Sequence, residues 1–187
     1  MTRSKSSSRY TTRDLVLIAM FASLMAICAW ITIPATIPFT MQLFAVFAAL
    51  YLLGGRRGLA SVVLYLLLGA VGLPVFSGFN AGLGVLTGTT GGYLVGFIFT
   101  ALVYWGITAS CPGCGIVIKV GALLCGLVAC YAFGTAWFMI AYAAKQNTIG
   151  LAAVLAVCVF PYVIPDILKL SLAVGVGEAI RRRVKNI

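Results

Sequence analysis

The stretch "VFPYVIPDILKL" at 159–170 puts Asp166 and Lys169 inside an apolar run, in a chain that has only three acidic residues in all. An ionisable side chain within a membrane-length hydrophobic segment costs about 2.5–3.5 kcal/mol on insertion scales, so it marks a functional site by default. Pro165 suits the first position of a helix, where its missing N–H is harmless. Asp166 and Lys169 would then lie in the first turns and, three apart, on one face. A lysine at the positive end of a helix dipole adds to a set of unpaired N–H donors, which is a site for an anion. An internal Asp–Lys pair that only neutralises itself is the bland alternative.

Other polar groups cluster where the chain is irregular. The glycine-rich stretch "GLPVFSGFNAGLGVLTGTTGGY" at 72–93 carries one amide, Asn80, and several hydroxyls but no charge. It has no GK[ST] and so is not a phosphate-binding P-loop. It reads either as a flexible connection or as close-packed backbone covering a small ligand. In "TIPATIPFTMQ" at 32–42, Thr40 and Gln42 follow prolines at the start of an apolar run, as a helix cap or as ligand contacts. The "CPGC" turn at 111–114 has the spacing of half a zinc or redox site, but there is no second CxxC and no histidine. With Asp14, Asp166 and Glu178 as the only acids, no catalytic triad, carboxylate pair or metal cluster can be assembled, and no cofactor is implied. Glu178 is one turn from Arg181 and Arg182, which makes a local ion pair the expected role.

The elements that must hold these groups are transmembrane helices. At 63% hydrophobic and 9% charged, with a mean hydropathy of +1.13, the chain is excluded from the soluble globular class. Apolar runs too long for barrel strands indicate a helical bundle. Spans are expected at about 14–33, 41–54, 58–73, 92–109, 116–142 and 164–181, giving an all-α, polytopic, six-helix membrane protein as one domain. The run from Leu15 is too long for a signal-peptide core and is retained as the first span. The second is short and needs either a thinned bilayer or cover from its neighbours. Residues 149–160 are apolar but too short to cross and should form an interfacial or outer-surface helix.

The net charge of +10 does not indicate nucleic acid, because the basic residues flank apolar segments. With six spans Arg3, Lys5, Arg9, Arg13, Arg56, Arg57, Lys119, Arg181, Arg182, Arg183 and Lys185 all fall on one side, and Lys145 on the other. By the positive-inside rule both termini are cytoplasmic and the membrane is the cell membrane. Segments 34–40, 74–91 and 143–163 are then external. In the first span, Ala19, Ala22, Ala26 and Ala29 form a small-residue stripe with Ser23 beside it, where another helix of the same chain or of a partner could approach closely.

The motifs "IPFTMQ" at 37–42, "YLLLGAVGLPVFSGFNAGLGVLTGTTGGYLVGF" at 65–97 and "IPDILK" at 164–169 resemble the BioY family, the biotin-binding S components of energy-coupling factor (ECF) vitamin transporters. The resemblance covers essentially the whole chain in order. It implies a non-enzymatic subunit that captures biotin from outside and works with a transmembrane T subunit and two ABC-type ATPases. It also implies that the first-helix stripe, Ala19, Ala22 and Ala26, meets the T subunit. Set against biotin, Asn80 offers donor and acceptor to the ureido edge, Asp166 accepts from its N–H groups, and Lys169 holds the carboxylate. The partners of Asp166 and Lys169 can equally be reversed. Tyr93 would line the rings, with Thr40 and Gln42 as further contacts. An S component for riboflavin or thiamine is the rival within this class, and an intramembrane enzyme is the rival outside it.

Overall fold

Helix starts and stops in this chain are written by a few residues. Thr11 and Asp14 close a capping box on the first helix: the Asp14 N–H donates to Thr11 Oγ1 at 3.2 Å and the Thr11 N–H to Asp14 Oδ2 at 3.0 Å. Gly54, at φ +82, makes a one-residue turn between the second and third helices, and Gly72, at φ +112, ends the third in the left-handed conformation. The computed structural model describes residues 10–33, 38–144 and 150–185. The chain runs α1 (Thr12–Trp30), β1 (Thr32–Ile33), β2 (Phe39–Thr40), α2 (Gln42–Leu53), α3 (Gly55–Val71), a 3₁₀ turn (Ser77–Phe79), α4 (Leu83–Leu86), α5 (Gly91–Ser110), α6 (Ile116–Ala143), α7 (Leu151–Cys158) and α8 (Phe160–Lys185). β1 and β2 pair antiparallel, Thr32 opposite Thr40, a small ladder that a purely helical reading does not contain.

The fold is helical throughout its core. Among the described residues α1, α5 and α6 are each long and apolar enough to cross a membrane, and α7 with α8 makes a fourth candidate as a broken span bent by 41°. α2, at 12 residues, is about 18 Å long, well short of a ~30 Å hydrocarbon core. Its burial explains how it manages: Val46, Phe47, Ala49, Leu50 and Tyr51 are all fully enclosed by α1, α3 and α8. A helix surrounded by protein has no lipid thickness to match. Exposed Leu15, Val16, Met20, Leu102, Val128 and Leu168 face outward on the longer helices, as lipid-facing residues should.

Glycines let α5 and α6 run together as the most intimate pair. A Cβ at Gly92 would lie 2.3 Å from Trp137 Cβ, one at Gly96 2.7 Å from Cys130 Sγ, and one at Gly134 2.3 Å from the Tyr93 ring. Without a hydrophobic drive between helices in lipid, such backbone proximity supplies the packing. α2 and α8 are tied at the end away from β2 by Tyr51. Its hydroxyl donates to Glu178, its carbonyl accepts from Arg181 Nη2 at 2.8 Å, and Gly177 leaves room for its ring. Glu178 and Arg181 therefore meet through Tyr51.

Three sequence expectations are corrected here. α8 begins at Phe160, so Pro165 lies inside the helix instead of opening it. Pro161 already occupies the first turn, and the carbonyl that Pro165 fails to engage is that of Pro161, close to the helix end, so the interruption costs one bond and the helix continues. Second, the short helix expected within 149–160 is there as α7, but only Val159 and a bend of 41° part it from α8, so the last helix begins earlier than expected. Third, the alanine stripe of α1 divides. Ala22, Ala26 and Ala29 are buried within the chain, whereas Ala19 and Ser23 are exposed. The reason is that α1 packs on both α2 and α3, and the smaller residues turn toward those neighbours. Lys145 and residues 34–37 lie outside the described residues.

Candidate functional site

Beneath the β1–β2 ladder and the 72–90 segment lies a cavity of two adjoining lobes that share Pro38, Thr40, Tyr93 and Phe97. The lobe of about 70 Å³ is bounded by Cys130, Tyr131, Cys158, Tyr162, Asp166 and Lys169. The other, about 140 Å³, is bounded by Gln42, Phe76, Ser77, Asn80, Val85 and Thr90. All six ligand contacts expected from the sequence, Thr40, Gln42, Asn80, Tyr93, Asp166 and Lys169, thus line one cavity although they come from four separate segments. Asn80 and Asp166 are in different lobes.

Asp166 and Lys169 are in the second and third turns of α8, so the helix end at Phe160 is too far away to act on them through its dipole, contrary to the sequence argument. They do share a face. Lys169 Nζ donates to Asp166 Oδ1 at 2.8 Å, with both side chains only 7% exposed. The second carboxylate oxygen accepts from the Tyr131 hydroxyl at 2.5 Å, and the ammonium lies 4.0 Å over the Phe39 ring. A buried ion pair is kept only when further contacts satisfy both partners, and α6 and β2 supply them here. Its far side meets the cavity, so the site sets a carboxylate acceptor and an ammonium donor side by side with no net charge, the single Tyr131 hydroxyl proton being already given to the carboxylate.

The larger lobe is polar without charge. Gln42 is buried, and its Nε2 donates to Tyr65 Oη at 2.8 Å, which donates on to the Val75 carbonyl at 3.0 Å. Thr40 Oγ1 accepts from the Gln42 N–H at 3.3 Å, a local turn contact; the N-cap of α2 is Met41, without a side-chain cap, so Thr40 is not the helix cap, although it lines the cavity. Asn80 Nδ2 donates to the Ser77 carbonyl at 2.7 Å, which leaves its carbonyl oxygen toward other partners. Tyr93 Oη lies 3.3 Å from Thr135 Oγ1, bracing the ring that separates the lobes.

The segment above this lobe is held at four points. Trp30 Nε1 donates to the Pro74 carbonyl at 2.9 Å, Trp137 Nε1 to the Gly88 carbonyl at 3.0 Å, and the buried Phe76 ring occupies the space left by Gly69. Thr32 Oγ1 and Ser77 Oγ, 2.8 Å apart, join it to β1. The glycine-rich stretch is therefore a structured cover and not a loose connection.

Sequence reasoning did not find Tyr131 or Phe39. Tyr131 carried a signal, since a phenol in an apolar span must find a partner when buried. Phe39 carried none, because an aromatic beside a proline is ordinary at a membrane surface. The CPGC segment forms a plain turn between α5 and α6, closed by the Cys114 N–H on the Cys111 carbonyl at 3.1 Å with Gly113 at φ +79, and it is remote from the cavity lining.

Comparison with known proteins places this architecture. The chain resembles the "Probable biotin transporter BioY" of Pyrococcus horikoshii, 31% identical over 90% of this chain and 96% of that one. The "Biotin transporter BioY" of Rhizobium etli is 33% identical over 91% of this chain and 94% of its own length, and that of Thermotoga maritima 41% identical over 60% and 73%. A crystal structure described as the S-component for biotin from an ECF-type ABC transporter shares the fold, with a TM-score of 0.79 over 93% of this chain and 95% of that one at 24% identity. The BioY family model matches residues 1–186, and the chain belongs to the BioY family.

Proposed function

We propose that the chain is the substrate-capture subunit of an ECF-type transporter and binds biotin in the two-lobed cavity. The observation that carries this reading is the Asp166–Lys169–Tyr131 cluster at the end of an otherwise apolar lobe. A ureido group presents two N–H donors and one carbonyl acceptor, and it needs an acceptor and donors side by side. Asp166 meets the N–H edge, Lys169 meets the carbonyl, and Tyr131 holds the carboxylate in place. A carboxylate suits this lobe poorly, because Asp166 already neutralises Lys169 and would repel it. The assignment of Lys169 to the carboxylate is accordingly reversed. The valerate chain runs past Tyr93 and Phe97 into the larger lobe, where Asn80, Gln42, Thr40 and Thr90 provide neutral hydrogen-bonding groups.

Purified protein without ATP should bind biotin with submicromolar affinity in equilibrium titration. Saturable riboflavin or thiamine binding with none for biotin would replace the substrate. A substrate that stays chemically unchanged on release is the expected result for a non-enzymatic subunit.

In the membrane the chain makes six passes, α2 and α3 supplying the two that are too short or too charged to be recognised by length and hydropathy. The basic ends and the Arg56–Arg57 turn face the cytoplasm of the cell. A T subunit and two ATPases act from that side. Their contact on α1 runs along the exposed small residues Ala19 and Ser23, one turn apart, with Ala22 and Ala26 supporting the helix from within. Ala19→Trp with Ser23→Trp should leave biotin affinity unchanged and abolish ATP-driven uptake by the assembled transporter. Undiminished uptake would remove this face from the interface. Ala22→Trp should instead destabilise the isolated subunit, because the site is 1% exposed.

A further inference from the structure

The turn that joins α5 to α6 is Cys111, Pro112, Gly113 and Cys114. Tyr93 and Phe97, the α5 residues that line the cavity, lie in its first two turns, so this turn after Ser110 is at the far end of the bundle. Its backbone brings the two thiols together. The Cys114 N–H donates to the Cys111 carbonyl at 3.1 Å, and Gly113 is left-handed at φ +79. Proline second and left-handed glycine third are the residues of a type II turn, which holds its first and fourth Cα atoms within about 7 Å. Cys111 is exposed, Cys114 is half-buried, and both are free thiols. The other four cysteines are set within helices, three of them buried and Cys125 exposed on α6.

We propose that Cys111 and Cys114 form a binding site for a soft monovalent metal cation, Cu(I), held between their two sulfurs. Coordination number decides the metal. Structural Zn(II) takes four ligands, and among the described residues no group of three or more His, Cys, Asp or Glu comes together. Thiolates are soft ligands that select Cu(I), and two of them satisfy it. Binding exchanges two thiol protons for one Cu(I), so the complex carries one net negative charge. Its surroundings suit that charge. α6 starts at Ile116 without a side-chain cap, which leaves its first N–H groups as donors to sulfur. Lys119 is on the first turn of the same helix, and the Tyr104 hydroxyl interacts electrostatically with both Cys114 and Arg181. In the topology proposed above, the turn faces the cytoplasm, where thiols stay reduced. Because α5 and α6 carry Tyr93 and Tyr131 at the cavity, the metal fixes the far end of the hairpin that bears the ligand site. Nothing in the metal site depends on which ligand fills that cavity.

The test is anaerobic titration of the full chain in detergent, with ascorbate as reductant and Cu(I) supplied as its coloured bicinchoninate complex. The wild type should withdraw one Cu(I) per chain and keep it against millimolar reduced glutathione, a competitor with a single thiol. C111S/C114S should withdraw none. C111S alone changes only the exposed member of the pair and should lose the metal too, which guards against misfolding of the double variant. C125S removes the exposed cysteine outside the turn and should behave as the wild type. Copper uptake by C111S/C114S equal to that of the wild type would overturn the site, as would an equal loss in C125S or complete displacement by glutathione. Uptake of one Zn(II) per two chains in preference to Cu(I) would overturn the copper assignment in favour of zinc shared between two copies of the chain.

Discussion

Lys169→Ala is expected to weaken biotin binding by about 2–3 kcal/mol, roughly 30- to 160-fold at 25 °C. Two effects combine. The ligand loses a charge-assisted donor, and Asp166 is left as a buried carboxylate whose remaining partner is the Tyr131 hydroxyl. Breaking one side of a buried pair is strongly destabilising, about 3–5 kcal/mol, so Lys169→Ala and Asp166→Ala should both also lower the melting temperature in detergent. The paired variant Asp166→Asn with Lys169→Met separates the two effects. Removing both charges together should restore much of the thermal stability, since well-packed neutral residues replace buried ion pairs at little cost. It should not restore affinity, because the donor and acceptor proposed to meet the ureido group are still altered. Isothermal titration alongside thermal melts reads both quantities. Unchanged biotin affinity in Lys169→Ala and Asp166→Ala would sink the site assignment while leaving family membership untouched.

Gly134→Leu is expected to disrupt the α5–α6 seam, at a cost of about 3 kcal/mol from overpacking alone. Its Cβ would meet the Tyr93 ring at 2.3 Å, and that ring is the shared wall of both lobes. Pushing it aside moves the wall into the cavity, so biotin binding should be lost at temperatures where the protein remains folded. Gly121→Leu on the same helix is the control. Beyond its own helix backbone nothing lies within 4 Å of its Cβ position, so the larger side chain extends into open space and stability should not fall. Thermal melts of the two variants in one detergent check the contrast. Equal behaviour would mean that α6 is free to shift and that the glycines do not set the helix spacing.

The sequence by itself determined what depends on local chemistry. Hydropathy and length fixed the membrane class and the positions of the longer helices, because solvent preference accumulates residue by residue. Gly54 and Gly72 ended helices for reasons internal to their own backbones. The cost of placing charge in an apolar segment singled out Asp166 and Lys169, and the motifs around Gln42, Asn80 and Lys169 were enough to reveal the family. Tertiary structure alone decided which neighbour each side chain meets. Thus Asp166 is held by Tyr131, 35 residues away, the Lys169 ammonium lies over Phe39, and Asn80 falls in a different lobe from Asp166. Ala22 and Ala26 turn inward only because α2 and α3 stand on that side of α1. Pro165, read locally, starts a helix. In the fold it is carried inside one that begins at Phe160, since a proline's effect depends on where the preceding turn is already anchored.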